Sequence, residues 1–215
     1  MNFNRKNLLL YAITDRSWLR GGTLYDQVEQ ALRGGVTLLQ LREKNLCQES
    51  FLQEAFQIKE LCDRYEVPLI INDHVEIACE VGAAGVHVGQ KDMEAGVARS
   101  ILGPEKIIGV SARTVEQAVL AERQGADYLG VGAVFSTGTK QDAQNITKDR
   151  LREICRAVSI PVVAIGGITA ENLTELGGSG IDGIAVVSAV FAQNEIEMAT
   201  RELRRRTGQM LQRTE

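Results

Sequence analysis

The sequence predicts an α/β fold, a single (β/α)8 TIM barrel that spans residues 1–215. The first observation is that eight short apolar runs recur along the chain, most of them too continuously apolar for half-exposed strands. Such runs are typical of parallel strands that are buried on both faces. The second observation is that amphipathic segments with helical spacing separate the runs. The third is the length, because 215 residues divided by eight gives about 27 residues per strand-helix unit.

The predicted strands follow one another at regular intervals. They cover residues 8–13, 36–41, 68–71, 85–88, 106–110, 128–131, 161–165 and 183–187. Apolar and polar side chains alternate with helical spacing in residues 51–65, which predicts a helix between the second and third strands. Two further helix starts carry capping residues. Thr114 with Gln117 has the spacing of a capping box, and Thr23 with Asp26 is a weaker variant.

Glycines mark the predicted junctions between helices and strands. Four helix ends carry glycine just before the next strand, at Gly34 and Gly35, Gly82, Gly125 and Gly180. The competing architecture is an open doubly wound sheet, which usually carries a G-x-G-x-x-G motif after its first strand. Here residues 14–18 follow the first strand and the first glycine is Gly21, so the closed barrel is favoured.

Composition and charge exclude several classes of protein. With 44% hydrophobic and 24% charged residues, the chain is neither disordered nor fibrous. Its net charge of -4 argues against a surface that binds nucleic acid or anionic lipid, and no apolar run approaches the roughly 18 residues that span a membrane. Four cysteines without a C-x-x-C pair, together with two histidines, offer no zinc constellation and indicate a reducing compartment. We therefore expect a cytoplasmic protein.

Polar residues follow most of the predicted strands. Because the loops after the strands build the active site in this fold, these positions are the candidates for chemistry. They are Gln40, Arg42, Glu43, Lys44, Asn72, Asp73, His74, Gln90, Lys91, Asp92, Ser111, Arg113, residues 136–140, Gly166, Gly167 and Ser188. His87 lies inside the fourth strand and is interpreted as a residue of the barrel interior rather than a catalytic base.

The last two strands predict a site for a phosphate monoester. Gly166 and Gly167 follow the seventh strand, and Val187 and Ser188 follow the eighth, where backbone N–H groups and the start of a short helix can face an anion. The alternative is that the glycines serve only a tight turn.

Two carboxylates predict a site for a divalent cation. Asp73 and Asp92 end neighbouring strands, and two carboxylates with phosphate oxygens and water are the usual ligands of Mg²⁺. The alternatives are a helix cap for Asp73 and a surface charge for Asp92. Arg42, Lys44 and Lys140 suit a second, more highly charged anion. We expect residues 136–145 to form a lid that carries Lys140, the alternative being a plain surface loop.

Seven segments resemble thiamine-phosphate synthases, from residue 8 to about residue 191. They are LYAITDR (10–16), QLREK (40–44), IINDHVEIA (70–78), GVHVGQKDM (85–93), GVSA (109–112), TGTK (137–140) and VVAIGGIT (162–169). The combination of QLREK, the Asn-Asp pair and T-x-T-K is specific, although each motif alone would be weak. The resemblance implies a transferase that joins a hydroxymethylpyrimidine diphosphate to a hydroxyethylthiazole phosphate, giving thiamine phosphate and pyrophosphate by a dissociative, Mg²⁺-assisted reaction.

The same resemblance implies roles for individual residues. Asp73 and Asp92 would ligate one Mg²⁺ per subunit, and Arg42, Lys44, Ser111 and Lys140 would be catalytic. The implied substrate-binding residues are Gln40, Leu41, Arg42, Glu43, Lys44, Asn72, Ser111, Thr137, Gly138, Thr139, Lys140, Gly167, Val187 and Ser188. The implied partners are these two small-molecule substrates, without nucleic acid or membrane, and family members are often homodimers.

Two departures from the family pattern and two rival functions stay open. Ser136 stands where the family often has proline, and Arg113 stands where histidine is common, which puts the rate in doubt rather than the reaction. One rival is the sister thiazole tautomerase on the same scaffold, which lacks the intact Asp-Asp and T-x-T-K set. The other is a barrel that binds a phosphorylated ligand without catalysis.

Overall fold

A computed structural model describes residues 3–136 and 145–212. Eight parallel strands form a closed barrel in sequence order, and the first strand pairs with both the second and the eighth. The strands are β1 (Leu10–Ile13), β2 (Leu38–Leu41), β3 (Leu69–Asn72), β4 (Gly85–Val88), β5 (Ile107–Ala112), β6 (Tyr128–Gly132), β7 (Val162–Ile165) and β8 (Gly183–Val186). The fold class predicted from the sequence is thereby confirmed.

Helices surround the barrel. They are α1 (Leu24–Gly34), α2 (Gln48–Arg64), α3 (Val75–Glu80), α4 (Ala95–Leu102), α5 (Val115–Arg123), α6 (Lys148–Ala157), α7 (Ser188–Phe191) and α8 (Ile196–Gln212). Short 3-10 turns cover Arg5–Leu8, Arg16–Trp18 and Leu173–Leu176, the last standing between β7 and β8 in place of an α-helix. Among the described residues, no helix has the length and apolar character that a membrane crossing requires.

Local signals in the sequence explain where the helices begin and end. The Thr23 hydroxyl accepts the N–H of Asp26 at 3.1 Å, and the Thr114 hydroxyl accepts that of Gln117 at 3.2 Å, as the capping spacings predict. At the far end of α1, Gly35 has a φ of +98°, a left-handed conformation that costs glycine little. These caps set where α1 and α5 begin and where the chain leaves α1 toward β2.

Side chains alternate between two cores. Along β1, Tyr11 and Ile13 belong to a cluster inside the barrel, whereas Leu10 and Ala12 pack between the strands and the helices. The inner cluster contains Leu8, Tyr11, Ile13, Leu38, Ile70, Ile107, Tyr128, Val163 and Ala185. In several strands a polar residue follows the members of this cluster at an inward position, as at Gln40, Asn72 and Ser111, which places these side chains toward the carboxyl-terminal mouth.

Candidate active site

Two acidic residues meet where β3 and β4 end. Asp73 follows β3 directly and Asp92 lies in the loop after β4, where its Oδ2 accepts the N–H of Gly89 at 2.8 Å. Burial and then the charge and hydrogen bond of Asp92 raise the pKa of the Asp73 carboxyl to about 6. Asn72 opposes this shift, because its amide donates to Asp73 Oδ2 at 2.6 Å. The two carboxyls therefore face each other, as the sequence predicts.

The backbone of Asp73 is held in an uncommon conformation. Its φ is +63°, in the left-handed region that costs a non-glycine residue roughly 1–2 kcal/mol. The Asp73 N–H donates to the carbonyl of His87 on the neighbouring strand at 2.9 Å, which fixes this geometry. Strain and a carboxylate pair at one position are typical of a functional site rather than of a helix cap.

The donor set at this position fits Mg²⁺. Within residues 3–136 and 145–212, no group of three or more histidine, cysteine or acidic side chains is placed to hold a metal ion. Zinc sites usually need three or four protein ligands, whereas Mg²⁺ is commonly held by one or two carboxylates together with substrate phosphates and water. Asp73 and Asp92 supply the two carboxylates of the second arrangement.

The loop after β2 carries two cations to the same edge. Arg42 is half-buried and Lys44 is exposed. The Arg42 N–H donates to the Thr14 hydroxyl at 2.9 Å, and the Thr14 N–H donates to the carbonyl of Gln40 at 3.0 Å. Thr14 is fully buried, so the end of β1 fixes the backbone from which both cations extend.

Two predicted substrate-binding side chains do not face the mouth. Leu41 points outward from the strand and is fully buried in the core between strands and helices. Glu43 is 6% exposed, and its Oε2 accepts from Nε of Arg16 at 2.8 Å. Strand alternation turns Leu41 away from the barrel interior, and the ion pair turns Glu43 toward the turn after β1. The side chains of these two residues therefore do not line the mouth, and their role in substrate binding stays a prediction.

A chain of five polar side chains crosses the barrel interior. The Gln40 amide donates to the Tyr11 hydroxyl, which lies 2.8 Å from the Tyr128 hydroxyl. The Tyr128 hydroxyl lies 3.0 Å from His87 Nδ1, and His87 Nε2 lies 2.9 Å from the Ser111 hydroxyl. Two residues predicted to bind substrate, Gln40 and Ser111, are thereby joined through three residues that the sequence does not assign to the site.

Burial further disfavours ionisation of the two phenols at the centre of this chain. It raises the pKa of both Tyr11 and Tyr128 well above the ordinary value for a phenol, so both stay neutral at physiological pH. Room for the chain comes from Gly109, because a Cβ there would lie 2.5 Å from His87 Nδ1 and would also overlap the Tyr128 ring. A glycine inside a strand often marks such a close approach. Gly109 was therefore the feature of the sequence that could have indicated these buried polar side chains.

The ends of β7 and β8 form the third part of the mouth. Gly166 and Gly167 have φ values of +102° and +64°. The Asn172 amide donates to the carbonyl of Gly167 at 2.9 Å, which holds the turn. Two residues after β8, Ser188 begins the short helix α7, as the sequence predicts. Backbone N–H groups at this position can face an anion, although the glycines also have a packing role against the loop after β6.

Other candidates take varied positions. Gln90 donates from its amide to the carbonyl of Ser111 at 2.7 Å, and so supports the end of β5. Arg113 and His74 are exposed, and the His74 ring packs edge-on against Phe51. The predicted residues Thr137, Gly138, Thr139 and Lys140 lie outside the described residues.

Comparisons with known proteins agree on one family. Residues 10–190 match the family described as thiamine monophosphate synthase. A thiamine-phosphate synthase of Ruminiclostridium cellulolyticum is 53% identical over 194 residues, which cover 90% of this chain and 92% of that protein. One of Clostridium botulinum is 49% identical over 201 residues, or 94% of each chain. The solved structure of thiamine phosphate pyrophosphorylase from Pyrococcus furiosus superposes with a TM-score of 0.89 at 40% identity, covering 96% of this chain and 98% of that chain.

Proposed function

The chain belongs to the thiamine monophosphate synthase family and has thiamine-phosphate synthase activity, and we propose that Asp73 and Asp92 hold one Mg²⁺ ion for this reaction. The substrates are a hydroxymethylpyrimidine diphosphate and a hydroxyethylthiazole phosphate, and the products are thiamine phosphate and pyrophosphate. The observation that carries the metal proposal is the convergence of the two carboxyls, which adds to the effect of burial in raising the pKa of Asp73. A cation between them would offset the repulsion that contributes to this shift.

The remaining residues divide between the two substrates. Arg42, Lys44, Ser111 and Lys140 bind the diphosphate, and Gln40 and Asn72 hold the pyrimidine diphosphate beside them. This assignment is supported by the hydrogen bonds that order Gln40, Asn72 and Ser111 in the structure. The side chains of Leu41 and Glu43 are buried away from this substrate, so these two residues contribute through the segment that carries Arg42 and Lys44.

The thiazole phosphate occupies the edge formed by β6, β7 and β8. Gly167, Val187 and Ser188 bind its phosphate, together with Thr137, Gly138 and Thr139, which lie outside the described residues. Support comes from the start of α7 at Ser188, where N–H groups of a helix terminus favour an anion. The two phosphorylated substrates thus meet across one mouth.

In the proposed reaction, the C–O bond to the diphosphate breaks first. This leaves a pyrimidine-stabilised carbocation, which the thiazole nitrogen captures, while the bonding electron pair leaves with pyrophosphate. Mg²⁺, when bound, neutralises charge on the diphosphate. Arg42, Lys44 and Lys140 act on the charge that develops as the bond breaks, and loss of one such contact typically costs about 10²–10³ in rate.

The decisive experiment measures pyrophosphate release from both substrates with and without a metal chelator. Release that stops with chelator and returns with excess Mg²⁺ is expected. Release that continues after chelation would contradict the metal proposal. Isomerisation of a thiazole without metal would instead support the sister tautomerase, and binding of thiazole phosphate without turnover would support a binding protein.

Two further proposals concern the setting of the enzyme. We propose a cytoplasmic location, which the free thiols of Cys47, Cys62, Cys79 and Cys155 support because reducing compartments keep cysteines unpaired. We also propose a homodimer, as the family resemblance implies. Molar mass from light scattering tests the second proposal, and a monomeric mass at all concentrations would contradict it.

A further inference from the structure

A partly buried ion cluster joins the loop that carries Arg42 and Lys44 to two other segments, and its Arg16 and Glu54 side chains are 38% and 15% exposed. Its centre is Glu43, whose side chain is 2% exposed. Arg16, in the 3-10 turn after β1, donates from Nε to Glu43 Oε2 at 2.8 Å and from its terminal nitrogen to Oε1 of Glu54. Glu54 belongs to α2, so one guanidinium joins three separate segments of the chain.

Two carboxyl oxygens of this cluster lack a hydrogen-bond partner among the described residues. Oε1 of Glu43 and Oε2 of Glu54 are buried, and no N–H or O–H donor of the described residues reaches either atom. An unsatisfied buried carboxylate oxygen is costly, and two of them close together would also repel each other. A single proton shared between the two carboxyls would satisfy both oxygens and leave one negative charge for Arg16, and we infer that the cluster holds such a proton.

The cluster and Thr14 hold the loop from two sides. Thr14 bonds the backbone of Arg42, and Arg16, only two residues further on, bonds the side chain of Glu43. The turn that carries Arg16 is itself fixed, because Asp15 accepts the N–H of Ser17 at 2.9 Å. The end of β1 therefore forms a frame for the loop after β2.

We propose that Glu54 and Arg16 are positioning residues, which act through Glu43 to hold Arg42 and Lys44 in place for the diphosphate. This inference rests on the proposed function, since it takes this loop to bind the pyrimidine diphosphate. The Arg16 guanidinium is engaged by the carboxyls of Glu43 and Glu54, so the proposal gives neither Arg16 nor Glu54 a direct contact with substrate. They increase the fraction of time that Arg42 and Lys44 spend in the position that binds the diphosphate.

The shared proton makes this support dependent on pH. The charged groups that act on the Glu43 carboxyl are Glu54 from α2 and Arg16 from the turn after β1. Burial, followed by the hydrogen bond and charge of Glu54, raises the pKa of Glu43 to about 7, against the opposing effect of Arg16. Above that pH the proton leaves, two carboxylates face one guanidinium, and the loop loses part of its support.

Replacing Glu54 by glutamine tests this directly. In Glu54→Gln, the amide oxygen still accepts from Arg16, and the amide nitrogen donates permanently to Glu43, which mimics the protonated pair at every pH. We expect the KM of wild type for the pyrimidine diphosphate to rise several-fold between pH 6 and 9 relative to that of Glu54→Gln. Both proteins are assayed at saturating Mg²⁺ and thiazole phosphate. Titrations of groups outside the cluster then affect the KM of both proteins alike.

A matched control lies on the same helix. Glu60 is exposed on α2, and Glu60→Gln removes the same charge without touching the cluster, so its KM profile should follow wild type. Parallel profiles for wild type and Glu54→Gln would overturn the inference. A wild-type protein that releases no pyrophosphate at any pH would count against the proposed function instead.

A second measurement needs neither a variant nor turnover. Carboxyl ¹³C resonances of glutamate-labelled wild type can be followed as the pH changes. Ordinary glutamates titrate near pH 4.3 with a spread of about one unit. We expect a resonance that titrates near neutral pH, and titration of every glutamate below about pH 5.5 would overturn the shared proton.

Discussion

His87 Nε2 lies 2.9 Å from the Ser111 hydroxyl, so a side chain of the barrel interior orients a hydroxyl at its mouth. The other ring nitrogen, Nδ1, lies 3.0 Å from the Tyr128 hydroxyl. The two contacts can be separated, because a glutamine side chain reaches about as far as Nε2 and an asparagine side chain about as far as Nδ1. This gives a test of which contact matters for catalysis.

We expect His87→Asn to lower kcat/KM by about tenfold, because a lost hydrogen bond to an oriented group costs about 1–1.5 kcal/mol. His87→Gln, which keeps a donor toward Ser111, should lose less. Steady-state pyrophosphate release measures both, and thermal unfolding shows whether each variant is folded. Equal losses in the two variants would mean that orientation of Ser111 does not limit the reaction.

Lys140 is proposed as a cation for the departing pyrophosphate. We expect Lys140→Ala to lower kcat by about 10²–10³, as loss of one contact to developing charge typically does, with a smaller change in KM. Lys148→Ala is the matched control, because Lys148 is an exposed cation at the first residue of α6. Steady-state kinetics with both substrates measure the effect. An unchanged kcat would remove Lys140 from the mechanism.

The paired carboxyls should make the metal-free enzyme less stable than a variant that lacks one of them. The pKa of Asp73 is raised to about 6, so its stabilising contribution is present below the unfolded value near 4 and is lost as the pH rises through 6. At pH 7.5, Asp92→Asn removes the repulsion, and the amide oxygen can still accept the N–H of Gly89. We expect Tm in chelator to rise by about 2–4 °C, with no gain at pH 4.

The same variant should respond differently to metal. Mg²⁺ with inorganic pyrophosphate should raise the Tm of wild type by binding to the native state, and should raise that of Asp92→Asn much less. Thermal unfolding at both pH values with and without these additions makes the comparison. A lower Tm for Asp92→Asn at pH 7.5 in chelator would show that the two carboxyls do not repel each other.

The positions of Asp73 and Asp92 could be predicted from sequence because the barrel fixes them. Once eight strands are recognised, residues that follow β3 and β4 must lie at the same edge, whatever their separation in the chain. The start of α7 at Ser188 follows from the same reasoning. In each case the backbone topology alone decides where the residue lies.

Residues whose role depends on the direction of a side chain were harder to predict. Glu43 stands between two cations in the sequence, but its carboxyl turns toward Arg16 and Glu54. Arg16 is 27 residues away in the chain and Glu54 is 11 residues away. In the sequence, Tyr11 and Tyr128 are indistinguishable from other apolar strand residues. Their two hydroxyls lie 2.8 Å apart only because both side chains point into the closed barrel at facing positions. Pairings of this kind depend on register, which periodicity does not give.

Replacing Gly167 by alanine should destabilise the protein, because an added Cβ would overlap neighbouring atoms. Gly82 has a similar backbone φ without such neighbours, so the matching variant Gly82→Ala separates the steric effect from backbone strain. A Cβ at Gly167 would lie 2.9 Å from Cβ of Phe135 and would overlap the carbonyl of Ser136, and its φ is +64°. Gly82 has nearly the same φ, +65°, but nothing within 4 Å of an added Cβ. Both alanine variants therefore bear the backbone strain of about 1 kcal/mol, and only Gly167→Ala must displace the loop after β6. We expect Gly167→Ala to be the less stable in urea by a further 1–3 kcal/mol, as overpacking roughly costs, and to raise the KM for the thiazole phosphate. Equal stability of the two variants would show that the loop moves aside freely.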